Sequence, residues 1–337
     1  MGNYPVISYI IRRILYVIPL LLAVSIVCFV IIQLPPGDFL TAIESQLKSQ
    51  AGLSEEESRK MVDEMRKTYG LDKSMPVQYL IWIKNIVTRG DFGYSFGYRK
   101  PAQEVIWERL KWTMIIALSA HLISTLVGLL IGIYSATHQY SLGDHLSTFL
   151  AFIGLSFPEF FTALVIMYLL VFRFRAPHVG GLSSPEYVLA AWNWAKFVDF
   201  LQHLWIPVVI SGVAGVARNM RVMRANLLDV FRSQYVITAR AKGLKESIVL
   251  YKHAVVNALH PIIAYQGVAL PYIVQGTMVT AIVLNLPTTG PAFYDALVFQ
   301  DTLLAGSFLL MVTVVLVIGN LLSDLILAWI DPRIRYD

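Results

Sequence analysis

Long stretches without charge alternate with short polar segments along this chain, and one extended polar region interrupts them near the amino terminus. The first apolar run, Ile14 to Leu34, follows Arg12 and Arg13 and ends at Leu34-Pro35-Pro36-Gly37-Asp38. About 20 predominantly apolar residues carry a helix across the ~30 Å hydrocarbon core of a bilayer. The run is longer than the apolar core of a cleaved signal peptide, and no small-residue cleavage site follows it, so a retained first membrane helix is expected. Further spans are predicted at Trp112–Thr137, Leu146–Phe172, Phe200–Ala217, Pro261–Pro287 and Thr302–Leu322, the last extending past Asp324 to Ile330. The Pro261–Pro287 run would be about 40 Å long as one helix, so part of it must tilt or leave the core. The expected fold is therefore an all-α membrane protein with about six transmembrane helices.

Residues 36–110 are the long polar exception, with 11 Lys/Arg balanced by 11 Asp/Glu. Ser54-Glu55-Glu56-Glu57 places a capping serine before acidic residues, a helix-start signal, and Gly90-Asp91-Phe92-Gly93-Tyr94 marks a turn. Three divisions follow: 1–35, an amino-terminal segment with the first membrane helix; 36–110, an external helical and loop subdomain; and 111–337, a five-helix core with an internal loop at 218–260.

Composition agrees with the pattern. Of the 337 residues 56% are hydrophobic and 15% charged, with a mean hydropathy of +0.61. An ordinary soluble domain carries about 25% charged residues, so too few charges exist here to coat an aqueous enzyme of this size. The net charge of +5 could point to a polyanion, but its location decides otherwise. Arg218, Arg221, Arg224, Arg232, Arg240, Lys242, Lys245 and Lys252 stand against Asp229 and Glu246 in one loop, an excess of six positive charges. Such an excess marks the cytoplasmic side. With this loop inside, an even number of spans places both termini in the cytoplasm, and the loop from Thr288 to Asp301 falls outside. Nucleic acid is not needed as a partner. The lone Cys28 lies in an apolar run and offers no disulfide.

The basic loop has internal organisation. Two short helical patterns flank Gly243, and Ala239 and Ala241 precede it. A glycine there supplies the left-handed turn that ends one helix and admits the next. The bland reading is a simple helix stop among charges that satisfy the positive-inside rule. No G-x-x-x-x-G-K-[ST] phosphate cradle or H-E-x-x-H pair occurs in the chain, and no plausible nucleophile elbow is found. Tyr235-Val-Ile-Thr238-Ala239-Arg240-Ala241-Lys242-Gly243-Leu244, continued by His253-Ala254, Asn257-Ala258-Leu259 and Pro261, resembles the signature loop of inner-membrane permease subunits of ATP-binding-cassette importers, in the dipeptide/oligopeptide/nickel class. Tyr9-Ile-Ile-Arg-Arg-Ile14 with Pro19, Tyr69-Gly-Leu-Asp72, Gly90-Asp-Phe-Gly-Tyr-Ser95, Gly154-Leu-Ser-Phe-Pro158 and the tail Asp331-Pro-Arg-Ile-Arg-Tyr336 extend the resemblance over nearly the whole length.

That resemblance implies a bacterial or archaeal inner-membrane protein without its own ATP site. Tyr235, Thr238, Ala239, Arg240, Ala241, Lys242, Gly243 and Leu244 would couple it to ATPase subunits. It implies no cofactor in this chain, with ATP and Mg held by the partners. Those partners would be a second homologous permease, two ATPases and an extracytoplasmic substrate-binding protein. Oligopeptides are the implied cargo. Ala281-Ile-Val-Leu-Asn-Leu-Pro287-Thr-Thr-Gly290 departs from the class pattern, and Gln300-Asp301 with Leu304-Ala-Gly-Ser307, together with Gly181-Leu-Ser-Ser-Pro185-Glu-Tyr187, resembles a branch whose members often handle oligosaccharides.

Individual polar residues within the spans are candidates for lining a pathway. Glu159 either lines a route for cargo or is held by a neighbour, since a carboxylate within a span normally faces a cavity or partner. Gln266, Gln275, Thr277 and Thr280 either line a water-filled route or bond helix to helix. His121 and His203, weighed against a metal site, lie on separate segments with no paired ligand at i+3 or i+4 and read as structural. Asn320 and Asp324 share one face of the last helix and read as an anchor near the membrane interface. Two other classes stay open on residues alone: an intramembrane enzyme, for which Glu159 lacks a catalytic partner at similar depth, and a channel or scaffold, against which the loop pattern argues.

Overall fold

A computed structural model describes residues 4–33, 54–95, 97–176, 179–263, 265–266 and 278–330. The described chain is mostly helical and divides into two compact units. One takes the residues up to Lys111 together with Thr288–Ile318; the other takes Trp112–Pro287 and the end of the last helix.

In the first unit, α1 (Tyr4–Gln33) contains the predicted apolar run. Helix α2 (Glu55–Tyr69) begins at a full capping box: the Ser54 hydroxyl accepts from Glu57 N–H, and the Glu57 carboxylate accepts from Ser54 N–H at 3.1 Å. The Ser54 hydroxyl, which also donates to the Glu57 carboxylate at 2.7 Å, and then Ser54 N–H hold that carboxyl below its usual range. Left-handed glycines end α2 at Gly70 and α3 (Met75–Arg89) at Gly90. A two-residue hairpin follows, β1 (Tyr94–Ser95) against β2 (Lys100–Pro101), with Ser95 opposite Lys100.

Phe29 of α1, Trp82 of α3 and Leu310 form the buried centre of this unit, with Tyr79 edge-on to Phe29 and hydrogen-bonded to Ser25 at 2.8 Å. The segment read from sequence as a loop at 288–301 is instead largely helical. Helix α13 (Thr289–Val298) precedes the long last helix, α14 (Thr302–Ile330). Its two carboxylates are committed within the unit. Buried Asp301 accepts from the Ser95 hydroxyl at 2.7 Å and from Gly97 N–H at 3.1 Å, and Asp295 accepts from the Tyr98 hydroxyl at 2.9 Å.

The second unit is built round α8 (Trp194–Phe231), whose buried positions recur every three or four residues through Phe200, His203, Ile206 and Ile210, and again through Ala217, Met220, Met223 and Leu227. Helix α4 (Ala102–Thr137) starts ten residues before the predicted span. The Gly128-x-x-x-Gly132 spacing permits close helix approach, and α4 and α8 make that contact here. A methyl group added at Gly128 would lie 2.7 Å from the Asn219 Cβ, and one at Gly132 would lie 2.7 Å from the Met223 Cβ. Helix α5 (Leu142–Ser156) meets α8 in the same way, with Gly154 against Val213. Apolar side chains such as Leu122, Phe149, Leu164 and Phe172 point outward instead. Small residues inside and large apolar ones outside is the arrangement expected where lipid is the solvent.

The structure changes two of the predicted spans and describes a third only in part. Leu146–Phe172 is not one straight helix. Pro158 lacks an amide hydrogen and disfavours helical geometry in Phe157 before it, and Phe157 is extended with ψ 135°. The chain bends by 104° between α5 and α6 (Glu159–Tyr168), which continues as a π-helical turn over Leu169–Arg173. The short span at Phe200–Ala217 is part of a 38-residue helix, so Arg218, Arg221 and Arg224 are helical and not loop. Residues 264 and 267–277 of the predicted Pro261–Pro287 span lie outside the described residues, which resume at α12 (Met278–Val283). Among the described residues, three helices are long and apolar enough to cross a membrane, and a fourth if the bent pair is one span. The first helix contributes a shorter apolar stretch, Leu15–Val30.

Two outcomes are expected. Replacing Gly132 by Leu forces α4 off α8 and should lower the stability of the solubilised protein by about 1–3 kcal/mol, the usual cost of overpacking; a thermal melt equal to wild type would contradict the contact. Burial and the Asp295 carboxylate push the Tyr98 phenol up to about 12. A raised folded-state value means that the Tyr98–Asp295 contact is intact below pH ~10 and is lost as pH rises through the folded value. Ultraviolet titration should show a late-ionising tyrosine that disappears in Tyr98→Phe and moves earlier in Asp295→Asn.

Candidate coupling loop

After Phe231 the chain turns at Arg232 and Ser233 into α9 (Gln234–Ala241). Val236 and Ala239, three apart, are its buried residues; they pack against Met223 and Leu227 of α8 and against Val249, Ala254, Val255 and Ala258 beyond the turn. The opposite surface is open: Tyr235, Ile237, Thr238, Arg240, Ala241, Lys242, Gly243 and Leu244 are all exposed. Thr238 returns its hydroxyl to the Gln234 carbonyl at 2.8 Å, a local bond that leaves no donor for another helix.

Gly243 closes the helix as the sequence predicts, with φ +74°. Gly243 N–H donates to the Arg240 carbonyl at 2.9 Å and Leu244 N–H to the Ala239 carbonyl at 3.4 Å, the paired bonds of a Schellman turn. Across that turn Arg240 reaches Glu246, with Nε 3.1 Å from one carboxylate oxygen, and its guanidinium lies over the Phe231 ring. Each member of the pair shifts the other: Glu246 is held below the usual carboxylate range, and Arg240 above its own. Both are largely solvated, so the pair contributes little stability. The second helical pattern is a short helix, Glu246–Ile248, that widens into π-helical turns over Val249–Val255 before Val256–Ala258.

The basic residues upstream are not all free charges. Arg224 makes a two-point ion pair with Asp144 in the first turn of α5, Nη2 to Oδ2 at 2.8 Å and Nε to Oδ1 at 2.9 Å. Asp144 is 2% exposed and also accepts from Tyr140 N–H at 2.9 Å and from the Ser135 hydroxyl. Arg218 donates to the Tyr265 hydroxyl and covers its ring, and Arg221 lies over Phe152. Asp144 and Ser135 are the site-supporting residues that sequence reasoning missed. The Ser141-x-x-Asp144 cap, in which Ser141 accepts from Asp144 N–H at 3.2 Å, was the available signal for the helix start.

The pathway candidates are not gathered into one site. Glu159 sits in the first turn of α6, at the break, and its Oε2 is buried without a partner among the described residues. Gln266 accepts from the Thr125 hydroxyl at 2.9 Å, and Asn219 donates weakly to that same hydroxyl, a bridge joining α4, α8 and residue 266. Thr280 is buried, its hydroxyl unpartnered among the described residues. Gln275 and Thr277 lie outside the described residues. His203 bonds the Asp199 carbonyl through Nδ1 at 2.8 Å. No group of three or more potential metal ligands occurs among the described residues.

Comparison with known proteins agrees with this architecture. Residues 128–336 match the family described as "Binding-protein-dependent transport system inner membrane component", and residues 6–117 match the corresponding N-terminal family. The chain belongs to this family of membrane permeases, in the dipeptide/oligopeptide class of ABC importers, and is a multi-pass inner-membrane protein. Among its relatives is the oligopeptide transport system permease protein AppB of Bacillus subtilis, 35% identical over 98% of this chain and 99% of the relative. The dipeptide transport system permease DppB of Alkalihalophilus pseudofirmus is 31% identical over 98% and 99%, and DppB of Escherichia coli K12 is 28% identical over the same shares.

Breaking the Asp144–Arg224 pair from one side should be costly, because it leaves a buried charge uncompensated. Asp144→Ala is expected to destabilise the solubilised chain by about 3 kcal/mol, the lower end of that class because Arg224 is partly exposed. Arg224→Lys should cost part of this, since an ammonium cannot make the two-point contact. Denaturation of the two variants to the wild-type curve would show that the pair is dispensable.

Proposed function

We propose that this chain is the membrane-spanning subunit through which an ATP-driven importer moves oligopeptides delivered by an extracytoplasmic binding protein. In this reading six spans leave both termini and the 218–260 segment in the cytoplasm. Two ATPase subunits bind there, and a second permease completes the route. The observation that carries the proposal is the form of the coupling loop: a short helix anchored on one side by Val236 and Ala239, open on the other, and closed by a solvent-exposed left-handed Gly243. An anchored helix transmits displacement, whereas a free tether absorbs it. The permease names of the relatives support peptide cargo.

ATP-driven closure of the ATPases would move α9 and, through the packed end of α8, bias the permease between outward- and inward-open states. Such bias requires the ATPase arrangement to favour one permease state over the other. Glu159, Gln266, Gln275 and Thr280 are proposed as polar lining of the route, with Gln266 also serving as a bridge to Thr125. ATP and Mg belong to the partners in this scheme, and this chain contributes no catalytic residue. The alternative cargo, an oligosaccharide, rests on the 281–290 departure in sequence.

Gly243 has open space around its missing side chain, so only backbone strain opposes substitution. Gly243→Leu should cost about 1–2 kcal/mol locally for the left-handed conformation. Expression and membrane insertion should match wild type, while peptide uptake by the assembled transporter falls more than tenfold with ATP hydrolysis continuing. Wild-type uptake by this variant would remove the coupling role. Uptake of an oligosaccharide with no uptake of peptides would overturn the cargo.

A further inference from the structure

A cavity of about 560 Å³ opens in the first unit along one face of α3. Ligand pockets commonly have about 300–1,000 Å³. Its wall includes Gln78, Ile81, Trp82 and Asn85, spaced as one helical face, and Phe29 and Tyr94 add aromatic surface. Charge is divided between the ends. Lys73, in the α2–α3 turn, lines the cavity before the start of α3, and Lys67, in the last turn of α2, lines it as well. Asp91, just past the Gly90 cap, lines it at the other end, where Asp91 N–H bonds the Asn85 carbonyl at 3.3 Å.

Several of these polar groups are uncommitted. Among the described residues, neither lysine ammonium has a partner, nor does the Asn85 side-chain amide. Asp91 spends Oδ1 on Gly93 N–H at 2.9 Å and keeps Oδ2. Gln78, by contrast, donates to both the Leu71 and Lys73 carbonyls and fixes the α2–α3 turn.

We infer that this cavity is a binding subsite for a short zwitterionic peptide. Asp91 receives the terminal ammonium, Lys67 and Lys73 receive the terminal carboxylate, and Asn85 bonds the backbone between them. The aromatic wall of Trp82 and Tyr94 takes side chains without selecting among them. The ligand class rests on the peptide reading of the cargo; the cavity and its divided charge do not.

The test is titration calorimetry of trialanine into the full chain in nanodiscs. Trialanine should bind, and acetylating its amine or amidating its carboxylate should each weaken it at least tenfold. Asp91→Asn keeps the bond to Gly93 and should weaken trialanine about tenfold without further weakening the acetylated peptide. Lys67→Gln with Lys73→Gln should do the same with respect to the amidated peptide. No binding by the wild type, or binding indifferent to these variants, overturns the subsite. Uptake by the assembled transporter separates the two proposals. Peptide uptake without binding here removes the subsite and leaves the cargo, whereas cap-sensitive binding without peptide uptake removes the cargo and leaves the subsite.

Discussion

Helices in lipid gain little by pressing leucine on leucine, because the surrounding hydrocarbon is equally apolar. The second unit depends on that constraint. Its contacts are made where side chains are missing, at Gly128, Gly132 and Gly154, and where polar groups find each other in a dry setting. The Asp144–Arg224 pair is the strongest of these ties. It fixes the start of α5 to α8 and, through Ser135, to the end of α4. Close backbone approach along α4 and α8 sets the spacing in which that pair can form, and the pair in turn resists their sliding.

Helix α8 therefore has two roles. Over Phe200–Ile210 it lies in the apolar core with Ile116, Ala163 and Leu284; over Met223–Leu227 it is the surface on which the coupling helix rests. A single helix spanning both places joins the core to the loop without a hinge. The Pro207 within it removes one backbone donor but does not end the helix. The chain bends elsewhere, at Phe157-Pro158, where Pro158 begins a new helix and leaves Glu159 in its first turn.

Much of this was legible in the sequence, and the exceptions have physical causes. Apolar run length and glycine spacing report the membrane and the tight contact, and a lone glycine in a basic loop reports its own φ. Charge counting misread the start of the basic segment. It treats Arg218, Arg221 and Arg224 as topology markers, whereas a tyrosine, an aromatic ring and a distant aspartate engage them in the fold. Nothing local in the sequence couples Asp144 to a residue 80 positions away. The 288–301 segment, read as an external loop, is helical over Thr289–Val298, and its aspartates serve the fold: Asp301 is buried and Asp295 holds Tyr98.

The same accounting narrows what the coupling face can offer a partner. Arg240 is turned back on Glu246 and Phe231, and Arg224 is consumed by Asp144, so the excess of six positive charges overstates what is free. Lys242, Lys245 and Lys252 are exposed round the Gly243 turn, and so are the apolar Tyr235, Ile237, Leu244 and Ile248. Protein interfaces place apolar and aromatic groups at the centre and charge at the rim. In the proposed docking the apolar side chains would supply the seat and the lysines its surround. The ion pair Arg240–Glu246 then serves the shape of the turn, keeping that apolar surface in one arrangement before a partner arrives.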